Sequence, residues 1–246
     1  MIVIEDLHKW FGDHHVLKGI NLEIEKGKIT VILGRSGCGK TVLVKHIIGL
    51  LKPDRGKIYI DGTEITSLSW RKMKEVVKKF GMLFQGSALF DSMTVEENVA
   101  FPLREHTKLS EREIKKRVRE KLEVVGLRDV EHYYPSELSG GMKKRVGLAR
   151  AMALDPEYII FDEPTTGVDP PTAYSIDVLM KETQRRFNLT FIVITHDISS
   201  TFRIADKIAM MDDGKIIEAG TPEEIMNSKN EDVKRFLEAH RVEAIR

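Results

Sequence analysis

Three stretches of the chain are apolar almost without interruption: Lys28-Ile-Thr-Val-Ile-Leu33, Tyr158-Ile-Ile-Phe161 and Phe191-Ile-Val-Ile194. A strand with one wet face alternates apolar and polar residues, so continuous runs of this length read as strands covered on both faces, as in parallel sheets. Alternation does appear in Ile20-Asn-Leu-Glu-Ile-Glu25, and Lys57-Ile-Tyr-Ile-Asp61 ends in an Asp61-Gly62 turn. The N-terminal part is therefore expected to hold short strands joined by turns. Helical patterns separate the covered strands, which predicts a mainly parallel α/β core.

From about Thr94 to Asp155 the pattern changes and no strong strand signal appears. Ser110 through Val125 has helical spacing, with Ile114, Val118 and Leu122 on one face. Ser139 through Leu154 reads as a further helix, closed by Asp155-Pro156. The expected layout is one domain of α/β class. Its core with a β subdomain spans 1–90 and 156–220, an inserted helical subdomain spans 91–155, and a helical tail spans 221–246. In that tail Phe236 and Leu237 pack either on the parent domain or on another subunit. The basic stretch Lys115–Lys121 is interleaved with Glu113, Glu120 and Glu123 and reads as a solvated helix face.

Composition narrows the function classes. Among 246 residues, 39 are Lys or Arg and 38 are Asp or Glu, giving a net charge of +1. That balance argues against a nucleic-acid binder relying on a general basic field. No apolar run approaches the roughly 18–20 residues of a transmembrane helix. The opening MIVIEDLHKW is short of a signal peptide's apolar stretch. Any role at a membrane is thus expected to go through a protein embedded in it. Cys38 is the only cysteine, so no intrachain disulfide forms.

The candidate chemistry starts at Gly34-Arg-Ser-Gly-Cys-Gly-Lys-Thr41, which fits G-x-x-x-x-G-K-[ST] at every fixed position and lies between the strand Ile29–Leu33 and a predicted helix Thr41–Leu50. Glycines let backbone N–H groups turn around phosphate oxygens, and the helix N-terminus adds partial positive charge. Gly34, Arg35, Ser36, Gly37, Cys38 and Gly39 are the expected cradle, Lys40 reaches the β- and γ-phosphates of ATP, and the Thr41 hydroxyl ligates Mg²⁺. A second feature is the strand Tyr158–Phe161 ending in Asp162 and Glu163. Paired carboxylates at the end of a buried strand need a cation or a proton to handle. Asp162 is the expected Mg²⁺ anchor and Glu163 the expected general base for water. Third, Leu138-Ser-Gly-Gly-Met142 opens a helix with Ser139 as N-cap and bare amides at Gly140 and Gly141. Alone this is either an ordinary cap or a second phosphate-binding surface. Two half-sites on one chain suggest head-to-tail pairing of two copies around two ATP molecules, with two-fold symmetry.

These motifs, in this order, resemble an ABC-transporter ATPase along essentially the whole chain. The resemblance implies a RecA-like P-loop NTPase core with an N-terminal antiparallel β subdomain and an inserted helical subdomain. It identifies Leu138–Met142 with the family's signature, here with Met142 where glutamine is usual. Gln85 matches the Q-loop glutamine, expected to sense Mg²⁺ and water. His196 in Ile194-Thr-His-Asp197 matches the switch histidine, expected on the γ-phosphate and beside Glu163. Asp169 in Gly167-Val-Asp169 matches the D-loop, and Phe11 the aromatic stacked on adenine. His14-His15 has no metal spacing and reads as surface.

Finer features resemble the ATPases of MCE-associated, Mla-type lipid transport systems. They include Gly39-Lys-Thr-Val-Leu-Val-Lys-His-Ile-Ile-Gly49, Met82-Leu-Phe-Gln-Gly-Ser-Ala-Leu-Phe-Asp91, Glu137-Leu-Ser-Gly-Gly-Met-Lys-Lys-Arg145 and Ala205-Asp-Lys-Ile-Ala209. Val42 stands where most ABC proteins have a hydroxyl for the α-phosphate, leaving only its backbone N–H. The resemblance implies a phospholipid cargo, a transmembrane permease, an MCE-domain substrate-binding protein and a peripheral position on the cytoplasmic face of the inner or plasma membrane. Gly86 through Leu103 is then the expected permease-facing stretch. Phe84, Leu89, Phe90 and Phe101 either form a groove for a coupling helix or belong to the core.

Overall fold

The apolar runs form strands covered on both faces. Every residue of Ile29–Leu33 and of Thr190–Thr195 is buried, and Tyr158–Asp162 is buried up to its terminal acid. The computed structural model describes residues 1–243; residues 244–246 of the expected tail lie outside the described residues. In chain order the elements are β1 (Ile2–Phe11), β2 (His14–Ile24), β3 (Ile29–Leu33), α1 (Lys40–Ile47), β4 (Arg55–Ile60), β5 (Thr63–Glu64), α2 (Trp70–Val77), β6 (Phe80–Leu83), α3 (Val95–His106) and α4 (Glu111–Val124). A 3₁₀ turn at Pro135–Glu137 follows, then α5 (Gly140–Ala151), β7 (Tyr158–Asp162), α6 (Pro170–Phe187), β8 (Thr190–Thr195), α7 (Ile198–Ile204), β9 (Lys207–Asp212), β10 (Lys215–Gly220), α8 (Pro222–Met226) and α9 (Glu231–Glu243).

The chain divides into two units. The first comprises Met1–Val77 and the chain from Ile192 onward. Its antiparallel sheet has the order β2-β1-β4-β5. The β1–β2 register shifts between Ile4 and Leu7, where Asp6 adopts a φ of 44°. A bulge of this kind bends the strand and increases its twist. In the same unit β3 pairs in parallel with β9, and β9 pairs antiparallel with β10. Helix α1 ends at Ile47, short of the expected Leu50. The N–H groups of Ile48, Gly49 and Leu50 close back onto Val44, His46 and Lys45, and Gly49 turns the chain at a φ of 69°. Val233, Phe236 and Leu237 of α9 are buried within the chain itself, so the tail packs on its own protein.

The second unit is Lys78–Phe191. Both α3 and α4 open with capping boxes, Thr94 with Glu97 and Ser110 with Glu113. The stripe Ile114, Val118 and Leu122 of α4 is buried as its spacing requires. Helix α5 starts after Ser139 and stops at Ala151 rather than Leu154. It lies close enough to β6 that a Cβ on Gly81 would fall 2.1 Å from the Ala151 carbonyl oxygen, and one on Gly147 would fall 2.7 Å from Leu83. Strands β6 and β7 run parallel with Leu83 opposite Phe161. Phe84-Gln85, which follow β6, and Asp162-Glu163, at and just past the end of β7, therefore lie at the same, carboxyl end of the pair. Ligands of open α/β sheets bind at that end.

Candidate functional site

The phosphate-loop residues sit in the first unit, between a fully buried strand and α1. Gly34 is packed so tightly that a Cβ would meet the Met211 carbonyl oxygen at 2.1 Å. Its N–H donates to the Thr195 carbonyl at 3.2 Å, and the Cys38 carbonyl accepts from Gly214 N–H at 3.2 Å. Gly39, the residue before α1, has a φ of 108°, which a side chain would resist. Lys40 is buried, and its ammonium donates to the carbonyls of Gly34 at 2.6 Å and Arg35 at 2.9 Å. Two of its three donors thus brace the loop. Arg35, Ser36, Gly37 and Thr41 are exposed and Val42 is half-buried. Burial pushes the Cys38 thiol above its ordinary pKa, with Lys40 partly opposing.

His196 follows directly on Thr195, the residue whose carbonyl holds Gly34, and its side chain is exposed. Asp197 caps α7 by accepting from Ser200 N–H at 2.9 Å. Phe11 closes β1 and is exposed, with the Lys9 ammonium 5.6 Å from its ring centre. Beside it lies a feature that His14-His15 did not reveal in the sequence. The shifted register sets Trp10 opposite His15, and their rings stack at 3.9 Å and 9°. His15 also shares a hydrogen bond with His8 at 3.0 Å, and His8 bonds Asp6 at 2.9 Å. His14 is exposed, but His15 is half-buried in this stack.

The second unit holds the remaining candidates. Asp162 is half-buried at the end of β7; Glu163 is buried and takes a φ of 51°. Thr166 Oγ1 donates to the Glu163 carboxylate at 3.0 Å. Gln85 is exposed just beyond β6. Ser139 Oγ accepts from Met142 N–H at 3.2 Å, so the serine does cap α5, with Gly140 exposed and Gly141 and Met142 half-buried. A Cβ on Gly141 would strike Thr172 at 2.7 Å. Asp169 caps α6, accepting from Thr172 N–H at 3.0 Å and Thr172 Oγ1 at 2.7 Å. Those bonds hold its carboxyl below the usual range. Phe84, Phe90 and Phe101 are exposed rather than core, Leu89 is half-buried, and the rings of Phe90 and Phe101 meet at 5.1 Å. Sequence reasoning did not single out Lys144, whose buried ammonium donates to the carbonyls of Gln85 and Glu163. Its sole signal was a lysine standing on the apolar stripe of α5.

A buried strand running through a glycine loop into a helix, and another strand ending in two acids, define an α/β nucleotide-binding protein of the P-loop class. The ABC transporter family profile matches residues 17–166, and the chain belongs to that family. Over 237 residues it is 47% identical to the intermembrane phospholipid transport system ATP-binding protein MlaF of Haemophilus influenzae, covering 96% of this chain and 90% of that protein. It is 41% identical over 241 residues to the probable ribonucleotide transport ATP-binding protein mkl of Mycobacterium leprae, covering 98% of this chain and 70% of that one. It is also similar to the dimeric structure of a post-hydrolysis state of the ATP-binding cassette MJ0796 bound to ADP and Pi. That match has a TM-score of 0.81 at 31% identity, covering 90% of this chain and 99% of the other. This chain is accordingly an ATP-binding and ATP-hydrolysing subunit of an ABC transporter. No described helix is long and apolar enough to cross a membrane.

Proposed function

We propose that this ATPase powers a separate permease that moves phospholipid, as a pair of identical chains enclosing two ATP molecules. The observation that carries the cargo is the 47% identity to the Haemophilus influenzae phospholipid-transport ATPase over nearly the full length of both chains. Val42 and Met142, which lack the hydroxyl and amide usual at those positions, agree with an Mla-type subfamily. The paired arrangement is supported by the dimeric ADP-bound cassette of the same fold.

In this reading the amides of Gly34–Thr41 and the third donor of Lys40 bind the β- and γ-phosphates, and Phe11 stacks on adenine. Ser139–Met142 and Asp169 serve the nucleotide of the opposite copy. Glu163 accepts a proton from the attacking water, His196 bonds the γ-phosphate, and Gln85 senses Mg²⁺ and the water. The Thr41 hydroxyl and Asp162 carboxylate, with Gln85, are hard oxygen donors of the kind Mg²⁺ takes beside phosphates. When bound, Mg²⁺ supplies charge neutralisation at the phosphoryl oxygens. The exposed Phe84, Phe90 and Phe101, following Gln85, offer an aromatic surface to a permease helix. The chain then sits on the cytoplasmic face of the inner or plasma membrane, held by that permease, with an MCE-domain protein as the substrate-binding partner.

Purification through a tag on this chain, from solubilised membranes, tests the proposal. A polytopic membrane protein and an MCE-domain protein are expected to copurify, with phospholipid in the extract and an ATPase rate that rises when phospholipid is added. A second reading follows from the 41% identity to a probable ribonucleotide-transport ATPase. A complex whose ATPase responds to ribonucleotides and ignores phospholipid would favour it and end the lipid proposal.

A further inference from the structure

Helix α5 carries a lysine on its covered side. Lys144, Gly147, Leu148 and Ala151 are spaced by three and four residues and are all buried. An ammonium in such a stripe is costly unless its donors are satisfied. Lys144 is 6% exposed, and Nζ donates to the carbonyl oxygens of Gln85 and, at 3.3 Å, of Glu163. Burial pushes the ammonium below the ordinary lysine range, and the charges of Asp162 and Glu163 pull it back. Both carbonyls belong to residues just past the carboxyl ends of the paired strands β6 and β7.

The Glu163 backbone has particular need of such a partner. A residue with a side chain at a φ of 51° costs about 1–2 kcal/mol and persists only where its surroundings over-determine it. Here the Glu163 carbonyl is held by Lys144 and also accepts from Thr166 N–H at 3.3 Å. The segment after Gln85 is in a similar state. Ser87 and Ala88 have φ values of 63° and 43°, and Arg150, two turns further along α5, donates to both their carbonyls at 2.7 Å. Helix α5 thus grips that segment through Lys144 and Arg150, and Lys144 grips Glu163 as well.

We propose that Lys144 is a positioning residue for ATP hydrolysis: by bridging the carbonyls of Gln85 and Glu163, it fixes the backbone from which both side chains project and ties it to the helix that begins at Ser139. The proposal rests on the reading of Glu163 as general base. Lys144 acts through these two residues and does not touch ATP. A displacement of α5 therefore pulls directly on the hydrolytic carboxylate of the same chain.

The test compares Lys144→Met, Lys144→Gln and Lys144→Arg in the full chain, with Glu163→Gln alongside, reading phosphate release, KM for ATP and thermal melting. Lys144→Met and Lys144→Gln are expected to lower kcat by about tenfold or more with KM for ATP and melting nearly unchanged, as a small misplacement of reacting groups does. Lys144→Arg, which keeps a cation within reach of both carbonyls, is expected to recover most of kcat. Wild-type kcat in a folded Lys144→Met or Lys144→Gln protein overturns the proposal while Glu163→Gln remains inactive. So does failure of both neutral variants to fold, which would make the lysine structural. Wild-type turnover by Glu163→Gln removes the general-base reading itself, whatever the Lys144 variants do.

Discussion

The phosphate loop and the segment from Gln85 to Thr94 are both irregular stretches following a strand, but they are held by opposite means. The phosphate loop is fastened mainly by main chain to main chain: Gly34 to Thr195, Cys38 to Gly214 and, within the loop, Cys38 to Arg35. Its own Lys40 also braces the carbonyls of Gly34 and Arg35. The price is glycine at positions where no side chain fits, Gly34 above all. The Gln85–Thr94 segment has its own tight turns, but side chains from helices hold it in place. Lys144 and Arg150 reach it from α5, and the fully buried Asn98 reaches it from α3. Asn98 accepts from Phe90 N–H at 2.8 Å and donates to the carbonyls of Phe90, Met93 and Thr94 at 3.0–3.1 Å. A loop built from backbone keeps one shape. A loop held by side chains follows the helices that hold it, which suits the proposed coupling of nucleotide state to a permease.

Four substitutions sharpen that contrast. The largest expected effect is on binding. Lys40→Ala removes a charged donor from the phosphates and the brace from the loop, so ATP affinity should fall by about 100-fold, or about 3 kcal/mol. Calorimetric titration reads this, and an unchanged Kd would contradict the phosphate role. Next, Gly34→Ala drives a methyl into the Met211 carbonyl and should cost about 2–3 kcal/mol of stability. Gly37→Ala, with nothing within 4 Å and a φ of 81°, should cost only about 1–2 kcal/mol in thermal or urea unfolding. Equal losses would mean that close backbone packing does not set the loop. The smallest concerns the other segment: Asn98→Ala takes the fully buried amide away from the Phe90 N–H and the Met93 carbonyl, at about 1 kcal/mol, and the Phe90 amide should exchange faster with deuterium. Protection equal to wild type at Phe90 would show that the segment holds its shape without α3.

The difference also explains what was legible in the sequence. The covered strands, the phosphate loop, the acids ending β7 and the Ser139 cap are contiguous patterns in which each residue's neighbours supply its reason. Helix ends were read too long because Gly49 and the turn after Ala151 bring the chain back on itself locally. Lys144 looked like one of three consecutive cations, Lys143, Lys144 and Arg145. Its partners are backbone carbonyls distant in sequence, which leave no mark on residue identity. Arg145 is the same case: it reaches the Val125 carbonyl and Ser175 Oγ, both at 2.7 Å. The stack of His8, Trp10 and His15 depends on a register shifted by a bulge, and a simple alternation count places those rings differently. Helix α3 carries Pro102 inside it, which interrupts the pattern that would have announced it.

That stack gives the protein an optical property of its own. The chain has two tryptophans. Trp70 is solvent-facing on α2, whereas Trp10 lies face to face with an imidazole and precedes Phe11 in the chain. Indole emission is sensitive to both the protonation of a stacked imidazole and the arrival of an aromatic base nearby. On the proposed stacking of adenine on Phe11, Trp10 is expected to report nucleotide binding by its emission in a Trp70→Phe variant, and an emission unchanged on adding ATP would count against that placement.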